Sequence, residues 1–329
     1  MLTEKVAQLK SNTVTVTRRL FLTVGIIIFF ACGAAHNYAD TSQYSLEINH
    51  ASRTFLVHCP KNLATANPPL VIALHGGGSN GNAMERFCGL SEASDRYGFI
   101  VVYPNGSGKL KRMLTWNAGS CCAYARNHAV DDVAFICQLI DCMISEYNVD
   151  PSRVYVTGIS NGAMMAYRLA AEIPDQIAVI ASVAGTLTVD PRSIHAAMPI
   201  LHFHGTDDQY VPFAGGRGPR SITKDLYMPV EETINVWVRI NQATPIPTVE
   251  ELPTYNNDGT RVVRYVYKTE RDRQNIVLYK IIGGGHTWPG QPHREFLLGR
   301  TTIEISADDI MWEFFRAHVK GTSGKRQFE

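Results

Sequence analysis

Val154-Tyr155-Val156-Thr157-Gly158-Ile159-Ser160-Asn161-Gly162-Ala163 is the stretch on which the reading of this chain turns. A short apolar run with the composition of a buried strand leads into the pattern G-x-S-x-G. Residues 163–172, which follow, read as a helix. A strand that turns sharply into a helix holds its serine in a strained backbone conformation, and the flanking glycines remove side chains that would clash there. The first N–H groups of the helix then point toward the serine hydroxyl. The competing reading is a plain turn in which Ser160 only caps the helix. Residues elsewhere in the chain decide between the two.

A serine hydroxyl is a weak nucleophile near neutral pH and needs a base, most often a histidine oriented by a carboxylate. In parallel sheets these partners stand on loops after later strands, in the order serine, acid, histidine. Ile200-Leu201-His202-Phe203-His204 runs into Gly205-Thr206-Asp207-Asp208, and Ile281-Ile282 runs into Gly283-Gly284-Gly285-His286. Ser160, Asp208 and His286 therefore fit in order, with Asp207 as the alternative acid. Negative charge on a carbonyl oxygen under attack needs N–H donors. His75-Gly76-Gly77-Gly78, directly after the apolar run 70–74, supplies a loop of that type. Its donors would be the N–H groups of Gly77 and Gly78, with that of Asn161 from the serine turn.

Two other chemistries compete for these residues. Gly76, Gly78 and Gly81 spell G-x-G-x-x-G after a strand, the dinucleotide pattern. That pattern wants an acid at the end of the next strand, which here ends Val102-Tyr103-Pro104-Asn105. His202 and His204 share one face of a strand and suit metal chelation, but no third ligand stands nearby in sequence. The expectation is an enzyme with no metal and no organic cofactor.

Working outward, strands are predicted over 44–49, 54–59, 70–74, 99–103, 154–157, 177–183, 200–203, 261–269 and 275–282, with a tight turn at 50–53. Helices are predicted over 83–97, 130–147, 163–172, 230–241 and 307–319, with long loops at 215–220 and 244–258. Strands that alternate with helices, several of them apolar on both faces, imply an α/β fold with a mostly parallel central sheet covered on both sides. Residues 36–329 read as a single catalytic domain without repeats, low-complexity tracts or a convincing linker.

The chain has 329 residues, is 45% hydrophobic and 19% charged, and carries a formal charge of +1. That composition suits a soluble domain with a large core. Residues 1–35 hold Lys5, Lys10, Arg18 and Arg19 against Glu4, so the rest sits slightly negative. The charge leaves no basic patch and excludes nucleic-acid binding. Arg18-Arg19 precedes the apolar run from Leu20 to Ala31 and a small-residue exit, the parts of an export signal. The run is shorter than the ~20 residues of a membrane span. Thr17-Arg18-Arg19-Leu20-Phe21-Leu22 resembles the twin-arginine motif. Cys32 after Phe29-Phe30-Ala31 resembles a lipoprotein box, with Phe30 a poor fit. The expectation is a secreted or periplasmic protein, with a lipid anchor at Cys32 as a variant. Six further cysteines outside the cytoplasm predict at least one disulfide. Vicinal Cys121-Cys122 are not expected to pair with each other.

Taken in order, His75-Gly76-Gly77-Gly78, Trp116-Asn117-Ala118-Gly119, Val130-Asp131-Asp132-Val133, Gly158-Ile159-Ser160-Asn161-Gly162-Ala163-Met164, His204-Gly205-Thr206-Asp207-Asp208 and Gly285-His286-Thr287-Trp288-Pro289-Gly290 form an ordered set. The set resembles the polyhydroxybutyrate depolymerase-like esterases, related to feruloyl and acetylxylan esterases of carbohydrate esterase family 1, and covers residues 44–320. The resemblance implies an α/β-hydrolase fold, Ser160 as nucleophile, His286 as general base and acid, and Asp208 rather than Asp207 as the acid. It makes Trp116 and Trp288 candidate pocket walls, with ordinary aromatic packing as the alternative. Asp131 and Asp132 read as helix-capping and loop-bonding residues. The implied substrate is a soluble or oligomeric ester of the feruloyl, acetyl or hydroxyalkanoate type. The alternatives are an acyltransferase to a sugar or lipid hydroxyl, and a non-catalytic surface-binding protein on the same scaffold.

Overall fold

The computed structural model describes residues 17–18, 41–48, 51–61, 63, 65–269, 274–292 and 295–320. The predicted export segment and the lipid-anchor site at Cys32 lie outside the described residues, apart from a two-residue strand, β1 (Thr17–Arg18). The other strands are β2 (Ser42–Ile48), β3 (Ala51–His58), β4 (Leu70–Leu74), β5 (Ile100–Pro104), β6 (Val154–Ile159), β7 (Val179–Val183), β8 (Ile200–Gly205), β9 (Thr248–Glu251), β10 (Arg261–Lys268) and β11 (Gln274–Ile282). They form one sheet in the order β1-β2-β3-β5-β4-β6-β7-β8-β11-β10-β9. From β5 to β11 every neighbour is parallel, and antiparallel strands extend the sheet at both sides.

The central strands read as continuous apolar runs because both of their faces are covered. In β4, Leu70, Ile72 and Leu74 enter one core while Val71 and Ala73 enter the other. Helices α4 (Asp132–Tyr147), α5 (Asn161–Glu172) and α6 (Val230–Ile240) close the first core through residues such as Phe135, Met165 and Trp237. Helices α1 (Gly81–Phe87), α2 (Leu90–Tyr97) and α8 (Ala307–Ala317) close the second through Met84, Leu90 and Phe315. Each large apolar side chain moved out of water contributes about 1.5–3 kcal/mol before conformational entropy is counted.

The predicted fold class holds, with local differences. The helix predicted over 83–97 is two helices, parted where the Gly89 N–H turns to the buried Asp308 carboxylate. The 244–258 loop contains the exposed edge strand β9. Two short helices, α3 (Ala123–Asn127) and α7 (Glu295–Leu298), lacked a readable period. Part of the predicted 50–53 turn belongs to β3, whose first residue is Ala51.

Candidate active site

Ser160 stands between β6 and α5 with φ 57° and ψ −122°, a conformation costing about 1–3 kcal/mol outside glycine. The sharp turn depends on its glycines. An ideal Cβ on Gly162 would lie 2.3 Å from the Leu74 carbonyl oxygen, and one on Gly158 would lie 2.7 Å from the Gly162 carbonyl carbon. The Ser160 N–H is held by the Val183 carbonyl at 2.9 Å. The serine is thus fixed by its backbone at the C-terminal edge of the parallel strands.

Asp208 and His286 come together on neighbouring loops at the same edge. The His286 Nδ1–H donates to Asp208 Oδ2 at 2.7 Å, and both residues are buried. The other carboxylate oxygen accepts the N–H groups of Tyr210 and Val211, at 2.8 and 2.9 Å. Burial would raise the Asp208 carboxyl, but the charge of His286 and hydrogen bonds from His204 and His286 outweigh it and hold the group well below the carboxylate range. Asp207, one residue earlier, is exposed and, among the described residues, accepts only from Thr206. With Nδ1 committed to a carboxylate, the Nε2 lone pair of His286 is the one able to take a proton.

A buried chain stands behind the carboxylate. The Tyr167 hydroxyl meets His202 Nδ1 at 2.7 Å, and His202 Nε2 meets His204 Nδ1 at 3.1 Å. His204 Nε2 donates to the Val211 carbonyl at 2.8 Å and lies 3.4 Å from Asp208 Oδ2. Because Val211 offers only an acceptor, the donors run in one direction, from the tyrosine hydroxyl to the Val211 carbonyl. Burial pushes His202 well below the usual histidine range, with the neighbouring His204 adding to the effect. The two histidines do share a face, as predicted, but their ring nitrogens bond to each other and to their neighbours.

The glycine loop after β4 abuts the serine turn. Ideal Cβ atoms on Gly76 and Gly77 would sit 3.6 Å from Ser160 Cβ and 3.5 Å from Asn161 Cβ. The predicted donor set needs one correction, because the Gly78 N–H is spent on the Leu114 carbonyl at 2.8 Å. No backbone acceptor among the described residues takes the N–H of Gly77. The Asn161 N–H, at the first position of α5, has no partner within the helix. His75 locks this loop. Its Nδ1–H donates to the Gly76 carbonyl at 2.8 Å and its Nε2 accepts from the Gly106 N–H at 3.0 Å. Burial lowers its pKa to about 4, against an opposing pull from the Gly76 bond, so the ring is neutral.

Trp116 and Trp288 do not wall a pocket; both are wholly buried. The Trp116 indole N–H donates to the His75 carbonyl at 2.9 Å and that of Trp288 to Asp308 at 3.0 Å, so the rings brace loops from behind. Burial, resisted by hydrogen bonds from Gln291, Trp288 and the Gly89 N–H, raises the Asp308 carboxyl to about 6. Asp131 caps α4 as predicted. Asp132 is fully buried, pairs with Arg53 at 2.6 Å and accepts the Asn117 N–H at 2.7 Å. Cys121 and Cys122 stand side by side and buried, ahead of α3.

Sequence reasoning missed three features. The Asn161 side chain grips the Trp116 backbone. A cleft of about 610 Å³ opens beside His286, lined by Asp207, Gln209, Tyr210, Arg220, Glu295, Phe296, Leu297, Leu298 and Gly299. Tyr210, whose ring centre lies 5.0 Å from that of His286, joins the two. Lys109, Lys111, Arg112, Arg217 and Lys224 are also exposed, on two loops at this edge. Residues far apart in sequence make each of these features, and spacing gives no signal for them.

A family model for Esterase PHB depolymerase matches residues 53–214. NocK of Nocardia uniformis subsp. tsuyamanensis, assigned as an esterase, is 32% identical over 296 residues, covering 84% of this chain and 83% of that protein. Poly(3-hydroxyalkanoate) depolymerase C of Paucimonas lemoignei is 29% identical over 308 residues, covering 89% and 72%. Among solved structures, an acetyl xylan esterase from Aspergillus awamori superposes with TM-score 0.59 at 20% identity, over 84% of this chain and 99% of that one. That likeness concerns the fold, which is the α/β-hydrolase arrangement of strands and helices.

Proposed function

We propose, on the premise that this carboxylic ester hydrolase belongs to the Esterase PHB depolymerase family, that it cleaves esters through a covalent acyl-enzyme on Ser160. The observation that carries the reading is the buried 2.7 Å hydrogen bond from His286 to Asp208, set at the strand edge that presents Ser160. His286 Nε2 takes the hydroxyl proton as Ser160 Oγ attacks the ester carbonyl. Asp208 holds the ring in the Nδ1–H tautomer and stabilises the imidazolium that forms. The N–H groups of Gly77 and Asn161 receive the negative charge on the carbonyl oxygen. His286 then protonates the leaving alcohol. Water, deprotonated by the same nitrogen, releases the acid.

Because the general acid must reach the leaving oxygen, the alcohol lies on the His286 side, where the cleft opens. The acyl groups we favour are acetyl, feruloyl or hydroxyalkanoate. We read the enzyme as exported, on the basic and apolar pattern of residues 1–35.

The test is labelling with a fluorophosphonate probe alongside hydrolysis of p-nitrophenyl acetate. Wild type should react with the probe and turn over, while Ser160→Ala should do neither and keep its thermal transition. Activity retained by Ser160→Ala would overturn the assignment.

A further inference from the structure

Two loops at the active edge of the sheet share a composition that the proposed chemistry does not use. The 105–115 loop, after β5, carries Lys109, Lys111 and Arg112 with Leu110 and Met113, and contains no acid. The 206–229 loop, after β8, carries Arg217, Arg220 and Lys224 with Ile222 and Leu226, against the acids Asp207, Asp208 and Asp225. These four aliphatic side chains are 63%, 57%, 82% and 69% exposed in chain order, so they point into water rather than into a core. Lys109, Lys111, Arg112, Arg217 and Lys224 have no ion-pair partner among the described residues. Asp225, on the second loop, is taken by Arg126 at 2.9 Å.

Both loops are pinned to the same short helix, α3. The Ala125 N–H donates to Thr115 Oγ1 at 3.1 Å, and Arg126 holds Asp225 from the next position. The first loop also returns against the glycine loop of the site, with the Leu114 N–H on the Ser79 carbonyl at 2.9 Å. Exposed cations and aliphatic side chains thus stand on two loops that follow β5 and β8, on either side of the β6 turn that carries Ser160, with α3 tied to both. With a formal charge of only +1 for the whole chain, this concentration leaves the rest of the molecule acidic.

We propose that these two loops dock the active face onto an anionic lipid surface. Cations seek the headgroups, each contributing about fivefold to binding, while aliphatic side chains enter the acyl boundary. Sugar-binding surfaces present aromatic faces for stacking, whereas these exposed apolar residues are aliphatic. A surface for soluble polyanions would have no use for them in water.

The experiment is co-sedimentation of the full chain with vesicles of phosphatidylcholine alone or with about 30% phosphatidylglycerol. The variants are Lys109→Glu/Lys111→Glu/Lys224→Glu and Ile222→Ser/Leu226→Ser. Partition onto the anionic vesicles should exceed that onto neutral ones by at least ~10-fold and fall with salt. The charge-reversed variant should lose that margin, and the serine variant should lose about 5–10-fold. Both should hydrolyse p-nitrophenyl acetate within about twofold of wild type, which shows that they fold. Equal partition onto both vesicles, or an unchanged margin after charge reversal, would overturn the proposal, since the apolar segment near the N-terminus is common to all forms. Undiminished binding by the serine variant would identify a general polyanion surface instead. Ser160→Ala should bind vesicles like wild type, so the docking result stands apart from the catalytic assignment.

Discussion

The side-chain amide of Asn161 forms a two-way bridge to Trp116, accepting its backbone N–H at 2.7 Å and donating to its carbonyl at 3.0 Å. The residue that follows the nucleophile is therefore fastened, through its own side chain, to a loop on the far side of the glycine loop. The backbone N–H of Asn161 and the Trp116 loop cannot move independently.

Asn161→Ala keeps that backbone N–H but removes the bridge. The variant should lose about 1–3 kcal/mol of stability and leave the Trp116 N–H buried and unpaired. It should also lose about 10–100-fold in kcat on p-nitrophenyl acetate, because the donor is no longer held in register. Steady-state kinetics with a thermal melt separate the two effects. Unaltered kcat would mean that the bridge only supports the fold.

The two acids of the 206–208 loop differ in surroundings, and their amides should differ in activity. Asp208→Asn turns a carboxylate that accepts from His286 into a group that favours the wrong histidine tautomer, at a cost of about 10⁴ in kcat. Asp207→Asn, exposed to water, should stay within about twofold. Equal losses in the two variants would remove Asp208 from its assigned role.

Asp132 ties three elements together, since its carboxylate binds Arg53 on β3 and the Asn117 N–H while opening α4. Asp132→Ala leaves the Arg53 guanidinium buried without its partner, and should cost about 3–5 kcal/mol in urea unfolding. Arg53→Met/Asp132→Leu should recover most of that loss, because the desolvation of both charges is removed together.

His75 and Asp308 give opposite pH dependences in one window. His75 has its pKa near 4 when folded, against 6.5 ordinarily. Below pH 6.5 the unfolded chain gains a proton that the folded chain refuses, so stability present above that pH is lost on the way down to about 4. The loss approaches ~3 kcal/mol. Asp308, raised to about 6 from 3.8, keeps its proton when folded, and its contribution is lost as pH rises through that range. Unfolding of wild type, His75→Gln and Asp308→Asn between pH 4 and 7.5 should show the wild-type advantage over His75→Gln shrinking as pH falls. Its advantage over Asp308→Asn should shrink as pH rises. A pH-independent difference for either variant would contradict the assigned burial.

The serine turn and the acid and histidine loops were legible because each makes a demand on the backbone that only glycine, or a strand end, can meet. Gly158 and Gly162 are such positions, and so is Gly205, where an ideal Cβ would lie 2.2 Å from the Gly284 carbonyl oxygen. The Asn161 bridge was not legible, since nothing near position 161 announces a partner at 116. Trp116 and Trp288 sit in recognisable motifs, but a motif does not say which way a ring faces, and both face inward. Gly78 belongs to the right glycine run, yet a partner from the 105–115 loop occupies its N–H. The exposed cations of the 105–115 loop were not legible, because a net charge does not say where its members stand.

Helix α5 begins beside Ser160 and carries Tyr167 two turns later, the residue that starts the buried path through His202 and His204 to Asp208 and on to His286. Nucleophile and base are thereby joined through one helix as well as through the sheet. A shift of that helix is felt at both residues, so a substitution at Tyr167 reaches the base without touching it.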